Sequence, residues 1–153
     1  MTSARVQTLA IVPLRVIVGF GFIAHGYAKF SRGPGNFAKL LQQIHVPFPV
    51  PSAWMVTGLE LVGGFAILVG VGVMLFSIPL IASMLVAMLQ LQLRYGFSSV
   101  NTIGLTPDGP LFGPPGYEIN LLYIAALILL AVVGPGPLSL YELRRARAMT
   151  PRM

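Results

Sequence analysis

From Ala53 to Leu93 the chain is almost uninterruptedly apolar. As one helix that run would be about 60 Å long, twice the hydrocarbon thickness of a bilayer, so it must fold back once. Gly70-Val71-Gly72 is the natural breaking point, which predicts two spans of about 53–71 and 73–93 joined by a very short turn. Pro79 is a kink point in the second. Only 9% of the 153 residues are charged and 56% are hydrophobic, whereas a soluble domain carries about 25% charged residues. That leaves no means of solvating a globular surface, so the chain reads as an integral membrane protein. At about 20 residues a span, its length allows four helices in one domain. The absence of cysteine excludes disulfides, thiol chemistry and iron–sulfur ligation by this chain. The net charge of +6 is explained by topology and anionic headgroups, and nucleic acid is not called for.

A first span is predicted over 9–30. Arg5 resembles the basic start of a secretory signal, but Arg15 interrupts the apolar region and no A-x-A site follows, so the span reads as uncleaved. The linker 31–52 is punctuated by Gly33-Pro34-Gly35, Pro47, Pro49 and Pro51. Within it Asn36 is a candidate cap for a short helix. Phe37, Leu40, Leu41 and Ile44 form its one apolar stripe, a pattern suited to the membrane surface and too short to span. The loop Tyr95–Gly116, with Pro107-Asp108-Gly109-Pro110 and Gly113-Pro114-Pro115-Gly116, reads as turn chemistry throughout. A fourth span is expected over 117–133, ending at Gly134-Pro135-Gly136-Pro137. The tail 138–153 carries Arg144, Arg145, Arg147 and Arg152.

Those arginines, with Arg5, set the expected orientation. The positive-inside rule places both termini in the cytoplasm, against Arg32, Lys39 and Arg94 on the opposite loops. Trp54, Tyr95, Phe97 and Tyr117 then form an outer aromatic belt. The expected fold class is all-α: a multi-pass four-helix bundle of the plasma (inner) membrane.

This topology gathers polar residues into one outer-half layer: His25 and Lys29 one turn apart on span one, Glu60 on span two, Gln90 and Arg94 on span three, Glu118 and Asn120 on span four. Buried charges cost roughly 2.5–3.5 kcal/mol on insertion scales, so they face protein and take partners. Lys29 can snorkel, Arg94 and Glu118 can mark helix ends, and Gln90 can join helices. Glu60 is too short to snorkel from its depth, which makes it the foremost candidate for function. His25 serves equally as an interhelical hydrogen-bonder or a proton carrier. Arg15 lies in the other half, where Glu142 on the returning tail is its candidate structural ion-pair partner. Gly58, Gly63, Gly64, Ala66 and Gly70 make span two smooth, for close helix packing, a dimer interface or a flat wall against a ring-shaped ligand. With only two histidines, and His45 on the linker, a metal or haem site is not expected; nor is a nucleophilic triad or phosphate loop.

The pattern Arg15, Gly19, Phe22, His25-Gly26, Lys29, followed by Gly58-Leu59-Glu60-Leu61-Val62-Gly63-Gly64, Leu68 and Gly70, resembles the DoxX family of small four-helix membrane proteins. The ending Gly134-Pro-Gly-Pro-Leu-Ser139-Leu140 is similar to that of many members. Members commonly place an acid directly after the Ser-Leu step; here that position is Tyr141 and the acid follows at Glu142. Some members are subunits of a thiosulfate:quinone oxidoreductase, others belong with membrane oxidoreductase complexes, and distant relatives act as chaperones or cargo receptors. The resemblance therefore implies a quinone-linked oxidoreductase subunit, with quinone as substrate or bound ligand. His25 and Glu60 would exchange protons as the catalytic pair, and Lys29, Gln90, Arg94 and Glu118 would bind the headgroup. With no evident electron carrier in the chain, electrons would come from a bound substrate or from other subunits of a complex or homo-oligomer. The competing reading is a non-catalytic anchor or assembly subunit of a larger respiratory or oxidoreductase complex. A transporter is disfavoured for a monomer without an inverted repeat.

Overall fold

The computed structural model describes residues 3–149, with side chains over 9–144. The side chains of Arg5, Arg145 and Arg147, and the whole of Arg152, lie outside the described residues. The chain is mostly helical: α1 (Ser3–Ser31), α2 (Pro34–Gln43), α3 (Pro49–Val69), α4 (Val73–Ala87), α5 (Glu118–Val133) and α6 (Leu140–Met149). A π-helical turn, Met88–Gln92, and a 3-10 turn, Leu93–Tyr95, prolong α4. Three stretches, Leu9–Ser31, Pro49–Val69 and Val73–Tyr95, are long and apolar enough to cross a bilayer, so this is a multi-pass membrane protein. α5 is apolar but has 16 residues, about 24 Å.

The fold-back falls at the glycine pair. Gly70 and Gly72 both take left-handed φ, +73° and +58°, which a glycine adopts without a Cβ clash. Val71 N–H reaches Ala66 O and Gly70 N–H reaches Ile67 O, a Schellman ending that satisfies the last carbonyls of α3. α3 packs most extensively on α1, and there the backbones themselves meet. A Cβ on Gly19 would lie 2.7 Å from Leu68 N, and one on Gly64 would lie 2.8 Å from Ile23 N. Close packing is thus what the small residues of α3 do along this seam. Phe22, Ile67, Leu80, Leu127 and Leu130 are fully buried, so α1, α3, α4 and α5 share one core.

Two expectations need correction. α2 starts two residues before Asn36, because Pro34 occupies a first-turn position where a missing N–H costs nothing. Asn36 does not cap it; its side-chain amide donates to Arg32 O at 2.8 Å. Leu41 of the α2 apolar stripe, with Ala38, packs on Ala53 at the start of α3, Phe37 and Ile44 flank that contact, and Leu40 stays exposed. The loop after α4 is not turn throughout. Thr102–Thr106 (β1) and Gly109–Phe112 (β2) pair antiparallel, closed at Pro107-Asp108 and irregular between Thr102 and Gly104. The hairpin lies among exposed side chains, with Leu105 84% accessible.

Candidate functional site

Among the described residues two charged groups are almost wholly buried, at opposite ends of the helices. Arg15, 3% exposed, lies at the end where α5 stops and the chain bends through Gly134, Gly136 and Leu138, all at positive φ. A helix that ends this way leaves carbonyls without intrahelical partners. The Arg15 guanidinium donates to three carbonyl oxygens of the elbow beyond α5: Pro135, Pro137 at 3.3 Å and Leu138 at 3.0 Å. The tail is therefore tied to α1 through its backbone. Glu142 stands in the first turn of α6, its N–H on the Oγ of fully buried Ser139. Gly70 lets the elbow approach: a Cβ there would lie 2.4 Å from Ser139 Cβ.

The second group is Glu60, 1% exposed. Its carboxylate accepts a hydrogen bond from Lys29 Nζ and forms a salt bridge with it. The Lys29 ammonium also lies 5.3 Å from the centre of the Phe37 ring, which joins α1, α2 and α3 at this point. Gly26 makes the approach possible, since a Cβ there would lie 2.9 Å from Leu61 N and 3.1 Å from Glu60 Cβ.

Unlike Arg15, this pair borders a cavity of about 920 Å³, at the upper end of the range for small-molecule sites. Its walls come from α1, α2, α3, α4 with its π turn, and α5, and they are mainly apolar. The polar groups on them include His25, Lys29, Glu60, Gln92, Asn120 and Tyr123. The His25 ring meets the Tyr123 ring edge-on, centroids 6.0 Å apart, and Tyr123 in turn meets Phe22 at 5.2 Å. Tyr123 OH reaches over Gly21, where a Cβ would lie 1.9 Å from it.

Of the residues expected to share a site, the structure brings His25, Lys29 and Glu60 together. Gln90 and Arg94 are exposed and lie off the cavity wall. Arg94 stacks on the Tyr95 ring at 4.9 Å. Glu118 is also off the wall, and its carboxylate accepts the Ser99 N–H at 2.9 Å, fixing the loop to the start of α5. The reason for the change on α4 is the π turn, which inserts a residue into the helical register. The i, i+4 spacing of Gln90 and Arg94 assumes a regular helix, and the rotated register gives the wall position to Gln92. Asn120 belongs to the expected polar layer and does line the cavity. Gln92 and Tyr123 were not legible as site residues, although Tyr123 is the one aromatic hydroxyl in an otherwise aliphatic stretch of α5. Among the described residues no three His, Asp or Glu side chains gather as a metal site requires.

Neither a curated protein nor a solved structure matches the chain. A family match does exist, over residues 10–93. It takes in Arg15, the glycine seam, His25, Lys29, Glu60 and the π turn. These 84 residues (93 − 10 + 1) are more than half of the 153, and the chain belongs to the DoxX family.

Proposed function

We propose that this chain is the membrane subunit of a quinone-linked oxidoreductase and that the cavity beside Lys29 and Glu60 receives the quinone headgroup. The observation that carries the reading is a buried ion pair with one face on a large apolar cavity. A carboxylate and ammonium needed only for packing would be better served by apolar side chains of similar size. A quinone supplies the redox chemistry, taking up two electrons and two protons. The residues present suit its headgroup. The Lys29 ammonium is a donor for a carbonyl oxygen. Glu60 and His25 are titratable groups that hold or pass a proton. Tyr123 supplies an aromatic face, backed by Phe22, and the apolar walls accept the ring and the start of an isoprenoid tail.

This reading goes with four crossings and both termini in the cytoplasm of a plasma membrane. α5 supports it by sharing the common core, and the basic tail supports it through the positive-inside rule. Electrons come from a partner subunit or a bound substrate. The exposed hairpin, with Ile103, Leu105 and Phe112 at its surface, favours a second reading as an anchor docked to such a partner.

Native mass spectrometry of protein extracted gently from its own membranes tests the proposal. The expected result is a quinone retained on this chain and lost in Glu60→Gln. A particle whose cofactor-bearing subunit holds all the quinone would refute it and leave the anchor reading.

A further inference from the structure

The cavity reaches the molecular surface at two places of different character. At the corner between α1 and α2 its lining includes Arg32 and Asn36, both exposed, and half-buried Gly33 and Ser52. Between α3 and α4 the lining is Met55, Leu59, Ala82 and Val86, with Met55 and Val86 exposed. In a bilayer that second opening faces hydrocarbon, so it suits a lipid-soluble ligand and not an ion. The polar corner leads to the ion pair, because Lys29 lies one turn before Arg32, is partly exposed and holds the Glu60 carboxylate. The other titratable groups on the cavity wall are His25 and Arg32 from α1 and Tyr123 from α5; α2 and α4 add none. Toward the α6 tail this chemistry stops. Between the levels of Glu60 and Arg15 the spans consist of residues 16–24, 61–69, 73–82 and 124–133, and Ser77 is the sole polar side chain in those stretches. Its buried hydroxyl has no hydrogen-bond partner. Phe22, Ile67, Leu80, Leu127 and Leu130, all fully buried, close the layer. Protons cross such a layer along linked polar groups or water, and one isolated hydroxyl does not make a chain.

We infer that the cavity exchanges water and protons with one side of the membrane only, the side of α2, and that Glu60 and His25 are sealed from the side of the α6 tail. The geometry of this route stands by itself; its use rests on the quinone reading above. A quinone held beside Glu60 takes up two electrons from the partner subunit or bound substrate and two protons, and becomes the quinol. Those two protons come from the α2 side, through the corner at Arg32 and Asn36, while the quinone itself comes and goes between α3 and α4. With both termini in the cytoplasm, the α2 side is the outer one. The site then draws its protons from outside the cell and leaves the cytoplasmic proton pool untouched.

The chain has no cysteine, so one introduced thiol reports access cleanly. Ser83→Cys places it on the cavity wall, at a half-buried position of α4. Gln42→Cys on α2 and Leu143→Cys on α6, both exposed, mark the two faces. A charged, membrane-impermeant methanethiosulfonate is applied to spheroplasts and to inverted vesicles that carry the full chain. Ser83→Cys should react in the preparation that labels Gln42→Cys, and about a hundredfold more slowly in the one that labels Leu143→Cys, because the reagent would have to shed its hydration in the apolar layer. Ala28→Cys, on the α1 wall, carries the comparison if Ser83→Cys does not fold. Equal rates from both sides, or reaction from the Leu143 side alone, overturns the inference. So does protection from both sides while a neutral, lipid-permeant maleimide reacts, since the cavity would then be closed to water. Added decylubiquinone should slow the labelling of Ser83→Cys severalfold. Sidedness that holds without this slowing keeps the inference and counts against the quinone reading.

Discussion

Lys29 and Glu60 are unequal partners, and the inequality can be measured. In the pair the Lys29 side chain is 24% exposed and the Glu60 side chain 2%. Lys29→Met leaves a carboxylate with no room to reach water or headgroups, at a cost of about 3–5 kcal/mol, the usual result of stripping one member from a buried pair. Glu60→Gln is milder. The glutamine oxygen still accepts from the ammonium, and the ammonium has a flexible stem and the Phe37 ring at 5.3 Å. The loss there is about 1–2 kcal/mol, from exchanging an ion-paired hydrogen bond for one charged on the donor alone. Lys29→Met combined with Glu60→Gln removes both charges, so it should be more stable than Lys29→Met alone, a coupling of about 2 kcal/mol. Denaturant titration in mixed micelles, followed by helical circular dichroism, gives the four free energies of the cycle. Additive losses, or a double variant less stable than Lys29→Met, would refute the claim that Glu60 is the trapped charge.

Two further substitutions probe the rest of the frame. Gly64→Ala puts a Cβ 2.8 Å from Ile23 N and 2.9 Å from Gly19 O, both backbone atoms, and should cost about 1–3 kcal/mol. Gly58→Ala meets nothing within 4 Å and should be neutral or gain about 0.5–1 kcal/mol; equal melting temperatures for the two variants would count against the glycine seam. Arg15→Met leaves the carbonyls of Pro135, Pro137 and Leu138 without their donor. We expect a loss of at least about 1–3 kcal/mol and faster tryptic cleavage after Arg144, and an unchanged cleavage rate would count against the tie.

The places where sequence alone succeeds are those where backbone geometry dictates residue type. Gly70-Val71-Gly72 is legible because the two left-handed positions on either side of Val71 suit glycine. The long helices are legible because a continuous apolar run of about 20 residues crosses a bilayer with its backbone satisfied only as a helix. The charges of Lys29 and Glu60 are visible at matched depth, which is enough to suggest that they meet. The hairpin is obscured because Gly104, Pro107 and Pro110 dominate its composition, and the pairing of β1 with β2 rests on backbone hydrogen bonds that no alternation of side chains announces. Gln92 is obscured for a deeper reason. Which of Gln90 and Gln92 faces inward depends on one extra residue in a turn, and Met88–Gln92 looks like ordinary helix in sequence.

The two ends of the bundle argue what its charges are for. Arg15 and Glu60 are buried alike, so burial does not separate a structural charge from a working one. What separates them is what each faces. Around Arg15 the chain closes in: Gly70 admits the elbow, three carbonyls take the guanidinium, and the charge is consumed in fastening the tail. Around Glu60 the chain opens out. α2 leaves α1 after Ser31, and the π turn rotates the outer part of α4, so the helices enclose a cavity in place of a closed seam. A π turn weakens its own helix and persists where the altered register is useful; here that register sets Gln92 on the cavity wall. The glycine seam from Gly19 to Gly26 holds α1 and α3 rigidly between these ends. That rigidity gives the Lys29–Glu60 pair a fixed position from which to meet a ligand arriving through the membrane.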